Sequence, residues 1–315
     1  MTMRVFRALQ ELPRDFGPSV VSVGNFDGVH CAHRQVLKRV VLRARELGAH
    51  AVAVTFDPHP MRILRPDSAL KLITPLDRRL SLLEAAGLDA LLVIPFTRDF
   101  SVIRPEEFAG QILRDSLRAI EVHEGANFHF GHKAEGDVAS LAELGSEMNF
   151  EVKVYPELIV TGEVVSSSTI RGLLLSGRVG RARRLLGRVF SINATPGRGR
   201  GYGHKYTVPT INLAKYEELV PGDGVYITRT RVNRETFDSV TNIGNRPTFG
   251  ADSFAIESHL LNFHPMTLTA ETPVEICFLK RLRGEVKFAS VDALREQIAK
   301  DVHRARRYLR LAHLS

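Results

Sequence analysis

Tryptophan is absent from this 315-residue sequence, cysteine occurs only twice, and aromatic residues make up 7% of it. The two cysteines, Cys31 and Cys277, are far apart and in no metal-ligand spacing. Neither a disulfide framework nor a zinc site follows, and a reducing, cytoplasmic setting fits. No apolar run approaches the ~18 residues of a membrane span. The apolar start at Met1 is soon interrupted by Glu11, Arg14 and Asp15, unlike a secretory leader. The sequence therefore predicts a soluble protein with no membrane partner. Scarce aromatic platforms and the lack of a helix-turn-helix or RNA-binding motif speak against a nucleic-acid partner.

The chain has 44% hydrophobic and 25% charged residues, an ordinary globular balance. Its length favours two domains, because single cores rarely grow beyond about 250 residues. The net charge of +8, with a pI near 9.7, suits polyanionic ligands such as nucleotides and phosphorylated cofactors. Much of the excess lies in Arg178, Arg181, Arg183, Arg184, Arg188, Arg198 and Arg200. A solvated linker and a phosphate-facing stretch both fit that run.

The first half alternates strands with helical periods. Val20–Val23 is a short strand that stops at Gly24, and Val36, Leu37, Val40, Val41, Ala44 and Leu47 then recur at helical spacing before Gly48. Ala51–Phe56 and Leu91–Ile94 are apolar enough to be strands buried on both faces. Thr74 before Pro75 predicts an N-cap and first helical position, with Leu76, Leu80, Leu83 and Ala86 following. Another helix is expected from Pro105. Repeated strand–helix units predict an α/β domain with a parallel sheet. After about residue 187 the rhythm changes. Short strands over 189–192, 225–232, 240–243, 256–263 and 274–279 predict a small antiparallel barrel, closed by a helix from Ser290 with Leu294, Ile298, Val302 and Leu309 as its apolar stripe. The boundary falls within Gly180–Gly187, giving domains 1–186 and 187–315.

The segment Gly24-Asn25-Phe26-Asp27-Gly28-Val29-His30-Cys31-Ala32-His33 lies between the first strand and the first helix, where open α/β sheets place their ligands. A glycine-bearing turn there brings backbone amides to phosphate, and the helix dipole favours anions. His30 and His33 can donate to a triphosphate and to departing pyrophosphate. Far downstream, Ser166-Ser167-Ser168-Thr169-Ile170-Arg171 supplies helix-entry hydroxyls and a guanidinium, which can cap a helix or bind phosphate.

Together these segments resemble the prokaryotic bifunctional riboflavin kinase/FMN adenylyltransferase family, also called FAD synthetase. The family carries a Gly-x-Phe-Asp-Gly-Val-His-x-Gly-His segment and a Ser-Ser-Thr-x-Ile-Arg segment. Here Ala32 replaces a glycine and Ser168 a threonine. Thr55-Phe56-Asp57-Pro58-His59-Pro60 and Asn127-Phe128-His129-Phe130-Gly131, followed by Gly136-Asp137, resemble two further family blocks, with Ala134 where an arginine is usual. The resemblance implies a Rossmann-like nucleotidyltransferase domain that adenylylates FMN with ATP. It places Gly24, Phe26, Asp27 and Gly28 at the nucleotide, and Pro58, Pro60, Phe128 and Phe130 around the flavin. His30, His33, Asn127, Ser167, Ser168 and Arg171 then serve the reacting phosphates, with Mg²⁺. Read without the resemblance, Phe128 and Phe130 are core aromatics.

In the second half, glycines at 197, 199, 201 and 203 form either a plain linker or a loop whose amides wrap a phosphate. Thr210 and Asn212 share one face of a strand and could hold Mg²⁺, which prefers oxygen ligands. Alternation puts Glu257 and His259 on the face opposite Ile256 and Leu260, where Glu257 is either a solvent-facing acid or a group that could accept a hydroxyl proton. The resemblance continues through Pro209-Thr210-Ile211-Asn212, Asn242–Thr248, Ile256–Leu260 and Leu282–Phe288. It implies a β-barrel riboflavin kinase domain with Thr210 and Asn212 as metal ligands, Glu257 as base, and Gly199, Gly201 and Arg283 binding the substrates. Thr207-Val208 departs from the family's Gly-Phe or Gly-Tyr before Pro-Thr, so an adenylyltransferase with a degenerate kinase half is the alternative. The expected ligands are riboflavin, FMN, ATP and Mg²⁺, and a homo-oligomer stays open. Class I aminoacyl-tRNA synthetases share the histidine pair, but this chain has no Lys-Met-Ser-Lys-Ser-type loop.

Overall fold

The computed structural model of the protein describes residues 2–197, 210–245, 254–264, 266 and 268–313. Gly199, Gly201, the Thr207-Val208 departure and Arg246-Pro247-Thr248 lie outside the described residues. The chain divides into two units, Met1–Thr169 and Ile170–Ser315.

The first unit runs β1 (Arg4–Phe6), β2 (Ser19–Val23), α1 (Cys31–Leu47), β3 (His50–Asp57), α2 (Pro60–Leu64), α3 (Leu76–Glu84), β4 (Ala90–Pro95) and α4 (Pro105–Glu107). It continues through β5 (Ala119–Gly125), β6 (His129–Phe130), β7 (Gly136–Asp137), α5 (Val138–Met148), β8 (Glu151–Tyr155), β9 (Ile159–Val160), β10 (Glu163–Val164) and the start of α6 (Ser167–Leu175). Six strands form one parallel sheet in the order β1-β4-β3-β2-β5-β8. Alternation sorts its side chains between two cores. Val20, Ala51, Ala53 and Leu91 pack with Leu37, Val40 and Ala44 of α1. Val21, Val52, Val54 and Leu92 pack on the opposite face with Phe108, Ile112, Leu113 and Leu141. The chain turns back between β2 and β5, which makes that gap the switch point of the sheet.

Two details differ from the sequence expectation. Pro75, not Thr74, is the N-cap of α3. The Thr74 hydroxyl instead accepts from the Gly28 amide at 2.8 Å and lies 3.3 Å from Asp27 Oδ1, because the 73–74 segment is stitched to the turn after β2. Strand β5 was hidden by its own charge: Glu121, His123 and Glu124 are all buried. Glu121 pairs with Arg43 at 2.5 Å and with His123 Nε2 at 2.9 Å. The regular β2–β5 register ends at Val21 and Val122, and beyond it the Glu124 carboxyl accepts from the Val23 amide at 2.5 Å. Burial pushes the Glu124 pKa well above the usual carboxylate range.

The second unit comprises the rest of α6, then α7 (Val179–Leu186), β11 (Phe190–Ala194), β12 (Thr210–Asn212), β13 (Gly224–Val232), β14 (Glu235–Asn245), β15 (Phe254–Leu260), β16 (Val274–Arg283) and α8 (Val291–His313). Its sheet order is β11-β16-β13-β14-β15-β12 with antiparallel pairing throughout. The two edges meet just past the named strands. Gly197 N donates to Asn212 O and Ala214 N to Thr195 O, both at 2.8 Å, so the sheet closes into a barrel. A Cβ on Gly197 would lie 2.7 Å from the Leu213 carbonyl oxygen, so closure needs glycine there. Inside the barrel, Thr228, Ser239, Thr230, Ser258 and Thr241 are fully buried and hydrogen-bond one to the next around a closed ring, at 2.7–3.1 Å. Outside, Ala305 and Leu309 of α8 pack on Val225, Ile227 and Val240. The expected stripe on α8 seats only in its later turns, since Leu294 and Ile298 remain 38% and 42% exposed.

Candidate active sites

The turn leaving β2 combines strain with tight restraint. Phe26 (φ 47°), Gly28 (φ 88°) and Val29 (φ 38°) all adopt left-handed backbone. Gly28 does so freely, whereas a β-branched valine there is strained. Phe26 and Val29 are held by burying their side chains in the α1-side core. Between them, the buried Asp27 carboxylate accepts from the amides of Ile73 (3.2 Å) and Thr74 (2.9 Å). The structure thus gives Asp27 the task of pinning the turn, and strain held by its surroundings is a common signature of a functional loop.

The turn delivers both histidines to the first turn of α1. His30 is the N-cap, its Nδ1 accepting from His33 N at 3.4 Å, and the two rings stack with centroids 3.6 Å apart. Phe26 meets the His33 ring edge-on at 5.1 Å. His30 is buried and His33 half-buried, so two imidazoles present one stacked face at a helix start. Ala32 sits in this helical turn, where a methyl group causes no backbone strain. Gly24 N donates to Val54 O at 2.9 Å, tying the turn to β3.

The serine-rich segment reaches the same turn. Ser167 Oγ donates to the Asp27 carbonyl at 2.8 Å, and Ser166 Oγ accepts from Thr169 N at 3.1 Å as an N-terminal cap. Ser168 is exposed, and Arg171 lies one turn further along α6. Across the switch point, Asn127 is exposed just after β5. Phe128 and Phe130 stack with centroids 5.5 Å apart, Phe130 buried in the sheet core and Phe128 half-buried above it. Pro58 is exposed and Pro60 half-buried beyond the end of β3. The candidate residues of the first unit therefore cluster at the carboxyl ends of β2, β3 and β5.

One side chain in this cluster was missed. Arg79 is completely buried beneath the cluster. Its Nη1 donates to Asn25 O at 2.8 Å and its Nη2 to Phe56 O at 3.1 Å, with Asp57 Oδ1 3.7 Å away. Burial lowers its pKa against the pull of Asp57 and Asp27. The signal was legible: Leu76, Arg79 and Leu83 share one helical stripe, and an arginine on an apolar stripe asks for a buried partner.

In the second unit, β12 and β15 pair Thr210 with His259 and Asn212 with Glu257. All four side chains are half-buried, and Thr210 Oγ1 lies 3.4 Å from His259 Nδ1. A hydroxyl, an amide and a carboxylate on adjacent strands form an oxygen-rich donor set that fits a hard divalent cation. Arg283 is separately engaged, donating from Nε to Asp301 at 2.9 Å and stacking over Phe288.

Comparison with known proteins follows this division. A FAD synthetase family model matches residues 12–169, and a riboflavin kinase family model matches residues 186–309. Proteins described as bifunctional riboflavin kinase/FMN adenylyltransferase are similar along almost the whole chain. That of Buchnera aphidicola subsp. Schizaphis graminum is 31% identical over 98% of this chain and 100% of its own. The Pseudomonas fluorescens protein is 33% identical over 96% and 97%, and that of Escherichia coli K12 31% over 93% of each. A crystal structure from Streptococcus pneumoniae, described as a macrolide-efflux protein, superposes with a TM-score of 0.86 at 25% identity, covering 97% of this chain and 99% of that one. Among the described residues no helix is long and apolar enough to cross a membrane.

Proposed function

Since the chain belongs to the bifunctional riboflavin kinase/FMN adenylyltransferase family, we propose that residues 187–315 phosphorylate riboflavin to FMN and residues 1–186 adenylylate FMN to FAD. The observation that carries the second step is the stacked His30–His33 pair at the start of α1, fed by a strained turn at the sheet's switch point. An FMN phosphate oxygen forms a bond to the α-phosphorus of ATP, and the bond from that phosphorus to the bridging oxygen of pyrophosphate breaks. The nucleophile is already anionic, so the protein needs no strong base. Its work is to position both substrates and to neutralise charge on the leaving pyrophosphate. His30 and His33 donate to that charge, the Gly24–Gly28 turn and the Ser167–Ser168 hydroxyls hold phosphate, and Arg171 adds a guanidinium fork. Asn127 orients the reacting phosphates, while Phe128, Pro58 and Pro60 border the flavin.

In the kinase half, the ribityl hydroxyl attacks the γ-phosphorus of ATP and ADP departs. Glu257 accepts the hydroxyl proton. Thr210 and Asn212 would hold Mg²⁺, which when bound neutralises charge on the ATP phosphates. The cross-strand pairing of Asn212 with Glu257 supports a working kinase over the degenerate alternative. The expected partners are small molecules, in a cytoplasmic setting.

Incubation with riboflavin, ATP and Mg²⁺, followed by separation of the flavins, tests the reading. FAD from riboflavin supports both halves. FAD only from supplied FMN leaves the kinase half silent, and no FAD from FMN overturns the assignment of residues 1–186.

A further inference from the structure

Arg79 belongs to α3 and to neither phosphate-binding segment, yet among the described residues it is the largest side chain that is wholly buried. Its guanidinium has one prong on the carbonyl of Asn25, in the turn after β2, and the other on the carbonyl of Phe56, where β3 gives way to the Asp57–Pro60 loop. Asn25 O also accepts from Thr55 Oγ1 at 3.3 Å, so the same two segments are tied a second time. Arg79 Nε has no hydrogen-bond partner among the described residues. Burying an arginine with only two of its three nitrogens engaged is costly, and an apolar residue of similar volume would fill the space more cheaply. Stability therefore gives a poor account of its presence. What the fork does provide is a fixed separation between two loops, since planar guanidinium geometry sets both carbonyls at once.

We propose that Arg79 is a positioning residue for adenylyl transfer, clamping the ATP-phosphate turn to the flavin-side loop so that nucleophile and α-phosphorus meet at the right distance. This rests on the adenylyltransferase reading above. Arg79 touches neither substrate. It acts through Asn25 and Phe56, one in each loop, so its removal perturbs the binding of both substrates together. A purely structural role behaves differently. Partial misfolding lowers the number of active sites and hence the maximal rate, but leaves KM unchanged.

The test uses the full-length protein and the variant Arg79→Met, which keeps the volume and removes both donors. KM for ATP and for FMN is measured in FAD formation, and riboflavin phosphorylation by the same polypeptide reports that the preparation is intact. The expected result is a rise of about fivefold or more in both KM values, with riboflavin phosphorylation unchanged. Arg79→Lys, which keeps the charge but not the fork, is expected to fall between wild type and Arg79→Met. If Arg79→Met does not fold, Arg79→Lys is judged by whether both KM values exceed wild type by twofold. A smaller rise in either KM overturns the clamp. If wild type itself makes no FAD from FMN, the adenylyltransferase reading fails; if it does and the variants keep wild-type KM values, only the role of Arg79 fails.

Discussion

Replacing Asp27 by asparagine tests whether the strained turn depends on its internal carboxylate. The substitution conserves shape but exchanges one acceptor oxygen for an NH₂ group. Oδ1 serves both Thr74 N and Thr74 Oγ1, so the amide oxygen takes that position and the new NH₂ faces the Ile73 amide, donor against donor. The loss is one charge-assisted hydrogen bond of about 1.5–3 kcal/mol plus an unsatisfied buried amide costing about 1–3 kcal/mol. A total of roughly 2.5–6 kcal/mol is similar in size to the combined strain that Phe26 and Val29 store, about 1–3 kcal/mol each. Against a domain stability of about 5–15 kcal/mol, this lowers the melting temperature by about 5–24 °C. FAD formation should fall along with it, because the backbone presenting His30 relaxes. Thermal unfolding and flavin separation on the same preparation check both effects. Normal melting with lost activity would mean that Asp27 meets the substrate directly, and normal values of both would refute the restraint altogether.

His33→Ala should abolish FAD formation from FMN while FMN formation from riboflavin continues, and Glu257→Gln should do the reverse; chromatography of the flavin products from each variant distinguishes them. Glu124 and Glu121 lie three residues apart on β5 and should respond to pH with opposite sign. The Glu124 pKa is raised in the folded state, so its contribution is complete below the unfolded value near 4.5 and is lost as pH climbs. Glu124→Gln is therefore expected to raise the urea midpoint at pH 8 and to leave it unchanged at pH 4. Arg43 holds the Glu121 pKa down at about 2, so stability from that pair is complete above about 4.5 and drains away as pH falls towards 2. Urea midpoints for Glu121→Gln should accordingly drop at pH 7 and converge with wild type at low pH.

The sequence made the fold legible wherever burial meant apolarity. Strands β2, β3 and β4 are dominated by valine, alanine, leucine and isoleucine, and the turn beside His30 and His33 falls where the strand–helix rhythm places it. Strand β5 escaped because three of its seven residues are ionisable, and only the tertiary partners Arg43, Val23 and Tyr155 make their burial affordable. Thr74 was misread for a related reason. A threonine before proline carries a strong local meaning, and the distant contact with Gly28 that overrides it lies 46 residues away. The role of Asp27 could not be separated from ligand binding by motif alone, since a carboxylate pinning a turn and one facing a nucleotide occupy the same letter. Thr210, Asn212 and Glu257 were placed on common strand faces by alternation, but their cross-strand registration came only with the paired sheet.

The five hydroxyls at the heart of the barrel make a circuit in which every oxygen can give one proton and receive one. Such a loop has no end at which a deficit could be absorbed. Exchange any single member for an aliphatic residue and one neighbour is stranded as donor, another as acceptor, both in the dry interior. The interior of this half should thus evolve in blocks: alternatives that swap several members at once are accessible, whereas the one-step intermediates between them are not.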